Sequence, residues 1–138
     1  MKNNFKHSAT IEYTTSIHDT DAMGVVWHGN YLKFFEKARE ALFQKFNCGY
    51  KQMIESGYIW PIVDARVKYI APSLAEQTLQ IVATLEEYEH RIKISYTIID
   101  SLTGKKITSG YTIQVAVSTS THKMSFVTPS FLLELIRL

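Results

Sequence analysis

Cysteine is nearly absent from this 138-residue sequence, which carries one, Cys48. An internal disulfide framework and a cysteine-rich zinc site are therefore excluded, and a reducing, cytoplasmic setting is expected. Long apolar runs are missing too. No window approaches the ~18 apolar residues of a membrane-spanning helix. The opening Met1-Lys2-Asn3-Asn4-Phe5-Lys6-His7 lacks the apolar segment of a secretory leader, so a soluble, unprocessed chain with no membrane span is expected. Neither sign of charge is in excess: 15 Lys and Arg against 13 Asp and Glu give a net +2, which suggests neither disorder nor a nucleic-acid-coating surface. With 3 prolines and 6 glycines there is no linker, repeat or low-complexity tract. A Gly-x-Ser-x-Gly elbow, a Walker loop, a dinucleotide glycine pattern and a His-Glu-x-x-His pair are all lacking, which removes support for serine-hydrolase and nucleotide chemistry.

What is present is enough apolar material for one core. At 46% hydrophobic residues the chain suits a single domain over residues 1–138 and is too short for two. Ala9, Ile11 and Tyr13 alternate with Thr10, Glu12 and Thr14 between His7 and Thr14, the period of a half-buried strand. After a polar loop the period changes. Tyr31, Phe34, Phe35, Ala38, Leu42 and Phe46 recur at helical spacing, predicting a helix of about four turns with Asn30 as N-cap and Gly49 as its stop. A short helix is expected over Tyr50 to Ser56. Period-2 runs then follow at Val63–Tyr69, Leu79–Leu85, Ile92–Ile98 and Ile107–Val117, with apolar Ile107, Tyr111 and Ile113 on one face of the last. Short turns at Ala71-Pro72-Ser73 and Asp100–Gly104 predict antiparallel neighbours, hence a meander. Lys123 to Val127 is a candidate final strand, and Ser130–Ile136 a terminal helix. The expected class is α+β: an antiparallel sheet whose apolar face is covered by the long helix. One helix does not bury every aromatic on so many strands, which points to a dimer.

The densest polar cluster runs from His18 to Asn30. On one reading Asp19 and Asp21 close Asx turns, Gly24 supplies a positive φ and Asn30 caps the helix. On the other, a helix start offers an unpaired N–H to a developing oxyanion, and a carboxylate just upstream attacks the carbonyl or activates water against it, which suits acyl transfer. His28 is an acid–base candidate of neutral-pH type or a structural residue. A metal site from His18, Asp19, Asp21 and His28 has the right ligand types but no established spacing. Cys48 has no histidine obviously paired with it and reads as a structural thiol. His90, Arg91 and Lys93 form a modest candidate patch for phosphates, or else solvated charge.

The stretch Asp19-Thr20-Asp21-Ala22-Met23-Gly24-Val25-Val26-Trp27-His28-Gly29-Asn30-Tyr31, continuing into the Phe-rich helix, resembles the signature of the 4-hydroxybenzoyl-CoA thioesterase-like hot-dog family, and in particular its acyl-CoA thioester hydrolase branch associated with the bacterial Tol-Pal system. Weaker likeness continues through Trp60-Pro61-Ile62-Val63 and the strands behind it. The resemblance implies the hot-dog fold, a long helix wrapped by an antiparallel sheet, in a homodimer or homotetramer. It implies an acyl-CoA thioesterase in which Asp21 is nucleophile or general base and the His28 backbone N–H polarises the thioester carbonyl. Gly24, Val25, Trp27, Asn30 and Tyr31 then line the substrate, and His90 and Arg91 meet the coenzyme A phosphates. Coenzyme A is part of the substrate, so no separate cofactor and no metal are implied. The chain departs from the aromatic-specific enzymes at His28-Gly29, where those carry tyrosine and proline, which favours an aliphatic or broad acyl group. Glycine at 29 leaves the loop less constrained than proline. Two rivals share the fold: an acyl-thioester dehydratase, disfavoured by Asp-Thr-Asp, and a binding or scaffold protein with little turnover. Acyl carrier protein is an alternative to coenzyme A as the carrier.

Overall fold

The computed structural model describes residues 7–138; residues 1–6, on which the expectation about a leader largely rests, lie outside the described residues. In chain order the elements are β1 (Ser8–Thr14), α1 (Asn30–Lys45), α2 (Tyr50–Glu55), β2 (Tyr58–Ile59), β3 (Ile62–Tyr69), β4 (Thr78–Glu87), β5 (Ile92–Asp100), β6 (Lys106–Gln114), β7 (Val117–Ser118) and α3 (Ser130–Arg137). Five strands form one antiparallel sheet in the order β1-β4-β5-β6-β3, and β2 pairs with β7 in a small second sheet. Among the described residues no helix is long and apolar enough to cross a membrane.

The α+β class holds, with α1 packed on one face of the sheet. Tyr31, Phe34, Phe35, Ala38, Leu42 and Phe43 of α1 are buried, and they meet the inward row Ile92, Ile94, Tyr96 and Ile98 of β5 and Leu79, Ile81, Ala83 and Leu85 of β4 in one core cluster. The Phe35 ring stacks flat on Tyr96, centroids 4.4 Å apart at 6°.

Several local expectations are corrected. The strands are not a simple meander: only β4-β5-β6 run in succession, while β3 crosses the sheet to pair with β6 at the far edge. The face of β6 is reversed from Thr108 onward, past a register shift opposite Ile98 and Ile99, while Ile107 stays in the core as expected. Thr112 hydrogen-bonds the buried Tyr96 hydroxyl at 2.8 Å, and a Cβ on Gly110 would lie 2.9 Å from the Phe35 ring, so Thr108, Gly110, Thr112 and Gln114 face the helix. Glycine makes the room for Phe35, and threonine supplies the partner that a buried tyrosine hydroxyl needs. Strand β3 is exposed at every residue except half-buried Val67, because it forms the sheet's edge. Lys123–Val127 is no strand; Met124 makes one isolated bridge to Val117. Helix α1 ends at Lys45, with Asn47 at φ 59, and Gly49 starts α2 instead, its N–H donating to Gln52 Oε1.

Candidate active site

The polar segment folds as a small hairpin ahead of α1. Thr20 and Val26 form an antiparallel bridge, the Asp21 N–H donates to the Val25 carbonyl at 2.9 Å, and the Gly24 N–H returns to the Asp21 carbonyl at 3.0 Å. Gly24 sits at φ +83. A three-residue turn closed by a left-handed glycine is a standard way to join two strands, and glycine takes that conformation without a Cβ penalty. Asp21 thus stands at the first position of the turn. Its Oδ1 accepts from the Met23 N–H at 2.8 Å, which is the Asx turn anticipated from sequence. Among the described residues nothing partners its Oδ2.

The hairpin is braced from three directions. Its returning strand docks on the loop after β3, through Val26 N–H to Ser73 carbonyl at 2.8 Å and a Val25–Leu74 bridge. The buried Tyr31 hydroxyl and Ser73 Oγ, 2.7 Å apart, tie that loop to the first turn of α1. Asp19 is the hub: its carbonyl accepts from Trp27 N–H and from Asn30 Nδ2, both at 2.8 Å, and its carboxylate accepts from the Tyr13 hydroxyl and the Ser16 N–H, also at 2.8 Å. The bond to Asp19, with burial and the nearby charge adding to it, pushes the Tyr13 phenol above its ordinary pKa. Asp19 is thereby committed to structure.

Asn30 is not the N-cap. That position falls on Gly29, which makes no side-chain cap bond, and Asn30 is the first helical residue, its amide reaching back to the hairpin. The predicted cap is a brace. Gly29 is closely covered: a Cβ there would lie 2.4 Å from the Trp27 indole, a half-exposed side chain that would have to swing aside to admit it. Its φ of −67 is open to any residue.

His28 precedes the helix with an exposed side chain. Its carbonyl accepts from the Tyr69 hydroxyl at 3.1 Å, and its ring meets Tyr69 edge-on at 6.1 Å. Among the described residues no protein acceptor takes its N–H. The chemistry this geometry offers is one carboxylate oxygen free to act and one main-chain N–H free to receive an oxyanion, both in a loop held on the helix start. Tyr13, Ser16, Tyr69 and Ser73 complete that frame and were not anticipated from sequence: Tyr69 and Ser73 lie far from the motif along the chain, while Ser16 and Asp19 stand at the spacing of a capping box, the one signal that could have found a member of the frame.

The other candidates lie elsewhere. Arg91 makes a paired contact with Glu87, Nε–Oε1 3.1 Å and Nη2–Oε2 3.2 Å; that bond raises the arginine's pKa and lowers the glutamate's. His90 Nδ1 lies 3.3 Å from the Phe126 carbonyl, and Lys93 Nζ sits over the Tyr111 ring. Glu87 thus offsets the patch that these cations form. Cys48 is fully buried, and burial pushes its thiol above the ordinary value, as expected of a structural cysteine.

With the geometry established, known proteins were compared. A Bacillus subtilis protein provisionally named an acyl-CoA thioesterase is 32% identical over 82 residues, 59% of this chain and 59% of that one. The match thus spans well under two thirds of that relative's length. The solved DHNA-CoA thioesterase of Staphylococcus aureus is 29% identical, with a TM-score of 0.79 over 85% of this chain and 78% of that one. The 1,4-dihydroxy-2-naphthoyl-CoA thioesterase Slr0204 from Synechocystis, at 22% identity, shares the fold with a TM-score of 0.85 over 94% of this chain and 96% of that one. These neighbours are thioesterases of the hot-dog type that the motif resembles. Residues 15–135, which take in the hairpin, the braced helix and the whole sheet apart from β1, match the family described as the thioesterase-like superfamily, and the chain belongs to that family.

Proposed function

We propose that this protein is an enzyme that hydrolyses an acyl thioester, with acyl-CoA as the substrate. The observation that carries the reading is the braced hairpin, in which Asp21 keeps Oδ2 unpartnered and the His28 N–H at the start of α1 has no protein acceptor among the described residues. The carbonyl oxygen takes the hydrogen bond from His28 N–H and the helix start, which favours negative charge there as the carbon becomes tetrahedral. Asp21 then acts in one of two ways. Its carboxylate bonds to the carbonyl carbon, the C–S bond breaks, coenzyme A leaves as thiolate, and water cleaves the acyl-aspartyl anhydride. Alternatively it takes a proton from a water that attacks the carbon directly. A thiolate leaves without a strong general acid, so one carboxylate and one oxyanion donor suffice.

Trp27, Val25 and Gly24 on the hairpin and Tyr31 on the helix are the residues we assign to the substrate's reacting end. His90 and Arg91 are assigned to the coenzyme A phosphates, an anion that would compete with Glu87 for Arg91. A homodimer is proposed through β3, an edge strand that leaves Val63 58% and Tyr69 51% exposed; such an edge invites pairing with a second chain. A cytoplasmic setting is proposed with it, supported by the single unpaired cysteine.

The test is release of free thiol from a panel of short, long and aromatic acyl-CoAs, comparing wild type with Asp21→Asn. Loss of the carboxylate is expected to lower kcat at least roughly a hundredfold with the fold intact. Equal turnover in the two proteins would sink the role of Asp21, and no thiol from any substrate would sink the hydrolytic reading.

A further inference from the structure

The oxyanion donor assigned above, the His28 N–H, sits between the hairpin and α1 in a stretch that the sequence leaves loose. Gly29 follows it, and glycine restricts neither its own φ nor the conformation of the residue before it, whereas proline would restrict both. A donor that stabilises a developing charge must already be aimed when the charge forms. Some other contact has to hold the two peptide planes that flank His28.

The first plane carries the Trp27 carbonyl and the His28 N–H, which point in opposite directions across a trans peptide. That carbonyl accepts from the Asn30 N–H at 2.9 Å. The second plane carries the His28 carbonyl, which accepts from the Tyr69 hydroxyl at 3.1 Å. Among the described residues its other donor is the Tyr31 N–H, at 3.4 Å, beyond the usual range for N–H···O bonds. Tyr69 thus supplies the shorter bond on the second plane. With both planes held, neither backbone dihedral of His28 is free to turn the N–H away.

The hydroxyl is delivered from the five-stranded sheet rather than from another loop. Tyr69 ends β3 and pairs with Thr108 of β6, and the chain leaving it is pinned by Ile70 and Ala71, whose N–H groups both donate to the Ile107 carbonyl at 3.0 Å. Its ring meets those of His28 and Tyr31, with centroids 6.1 and 5.7 Å away. A phenol has one hydrogen to give, and the His28 carbonyl can only accept, so that hydrogen is engaged by the backbone and is not available to a substrate.

We propose that Tyr69 is a positioning residue for thioester hydrolysis: its hydroxyl, donating to the His28 carbonyl, keeps the His28 N–H aimed at the developing oxyanion without touching the substrate. The proposal rests on the hydrolytic reading and adds to it a residue remote from the motif. Its effect falls on turnover rather than on substrate binding, because a misaimed donor costs more in the transition state, where the charge has built up, than in the ground state.

The test compares wild type with Tyr69→Phe, which keeps the ring and removes the hydroxyl, in thiol release from acyl-CoA and in the 15N order parameter of the His28 amide, at a temperature where both proteins are folded. The expected result is kcat lowered roughly tenfold, a part of what losing an oxyanion donor costs, with KM within about twofold. The order parameter should drop from the rigid range of about 0.85 toward about 0.6. Tyr69→Leu, which removes the ring as well, should lose little more in kcat than Tyr69→Phe. Wild-type kcat in Tyr69→Phe, a loss carried mainly by KM, or an unchanged order parameter overturns the proposal. No thiol from the wild-type protein sinks the hydrolytic reading and this proposal together, whereas wild-type turnover with any of those three results sinks this one alone.

Discussion

Replacing Asn30 by Asp separates two accounts of the helix start by the sign of one stability change. If residue 30 acted as a cap or a dipole partner, aspartate would serve as well as asparagine, and its negative charge at the first helical position would add about 0.3–1 kcal/mol. The structure gives Asn30 a different task, since its Nδ2 donates to the Asp19 carbonyl at 2.8 Å in a partly buried setting. Aspartate has no hydrogen to give. The substitution removes a bond worth about 0.5–1.5 kcal/mol and sets a carboxylate against a carbonyl oxygen, for a gross cost of about 2–3 kcal/mol. Less the dipole gain, a net loss of about 1–2 kcal/mol is expected, or roughly 3–8 °C in Tm for a domain of this size. The assay is urea unfolding at neutral pH of wild type, Asn30→Asp and Asn30→Ala, with thiol release measured in parallel. Asn30→Ala, which loses the bond without the repulsion, should fall between the other two. An Asn30→Asp protein as stable as wild type, or more so, refutes the brace.

Two further outcomes follow from the same geometry. Gly110→Ala puts a methyl 2.1 Å from the Arg66 carbonyl oxygen and 2.9 Å from the Phe35 ring; backbone cannot yield as a side-chain tip does, so a loss of about 2–3 kcal/mol is expected in thermal or urea unfolding, and a neutral result would refute the packing of Phe35 on Tyr96 described above. Asp100 accepts from the Leu102 N–H at 2.9 Å and from Gln77 Nε2 at 3.1 Å. Chiefly the backbone bond holds its pKa below the ordinary 3.8. A depressed carboxylate stabilises the fold above its unfolded pKa, and that contribution is lost as pH falls through the folded value. The Tm gap between wild type and Asp100→Asn should therefore be widest near neutrality and close below pH 3.8; a gap independent of pH would contradict the assignment.

Periodicity alone placed the long strands and the aromatic helix within a few residues, because a buried stripe at period 3.6 and a buried row at period 2 leave little freedom in how the chain hides them. The Asp-Thr-Asp to Asn-Tyr stretch likewise stood out as a candidate loop through its density of polar groups before an apolar helix, and only its resemblance to a family pointed it toward chemistry rather than toward turns and a cap. Pairing order was not legible. A short turn after Tyr69 predicts an adjacent β4, yet β3 crosses to β6, since strand adjacency depends on which exposed edge is free once the helix has covered the sheet. The inward face of β6 beyond Ile107 was not legible for a related reason: Tyr111 and Ile113 are the more apolar residues, but Gly110 and Thr112 are what Phe35 and the Tyr96 hydroxyl require opposite them.

The sequence by itself thus determined the class of fold, the family and the position of the candidate loop, all of which rest on residues close together in the chain. Tertiary structure alone decided which groups in that loop are free. Asp19 and Asp21 are chemically equal in sequence, and only contacts from Tyr13 and Ser16 bind the first carboxylate while leaving an oxygen of the second open. It also decided that Tyr69, far along the chain from the motif, reaches the His28 carbonyl. Hydrogen bonding acts over about 3 Å, and which side chains come that close is settled by packing rather than by order along the chain.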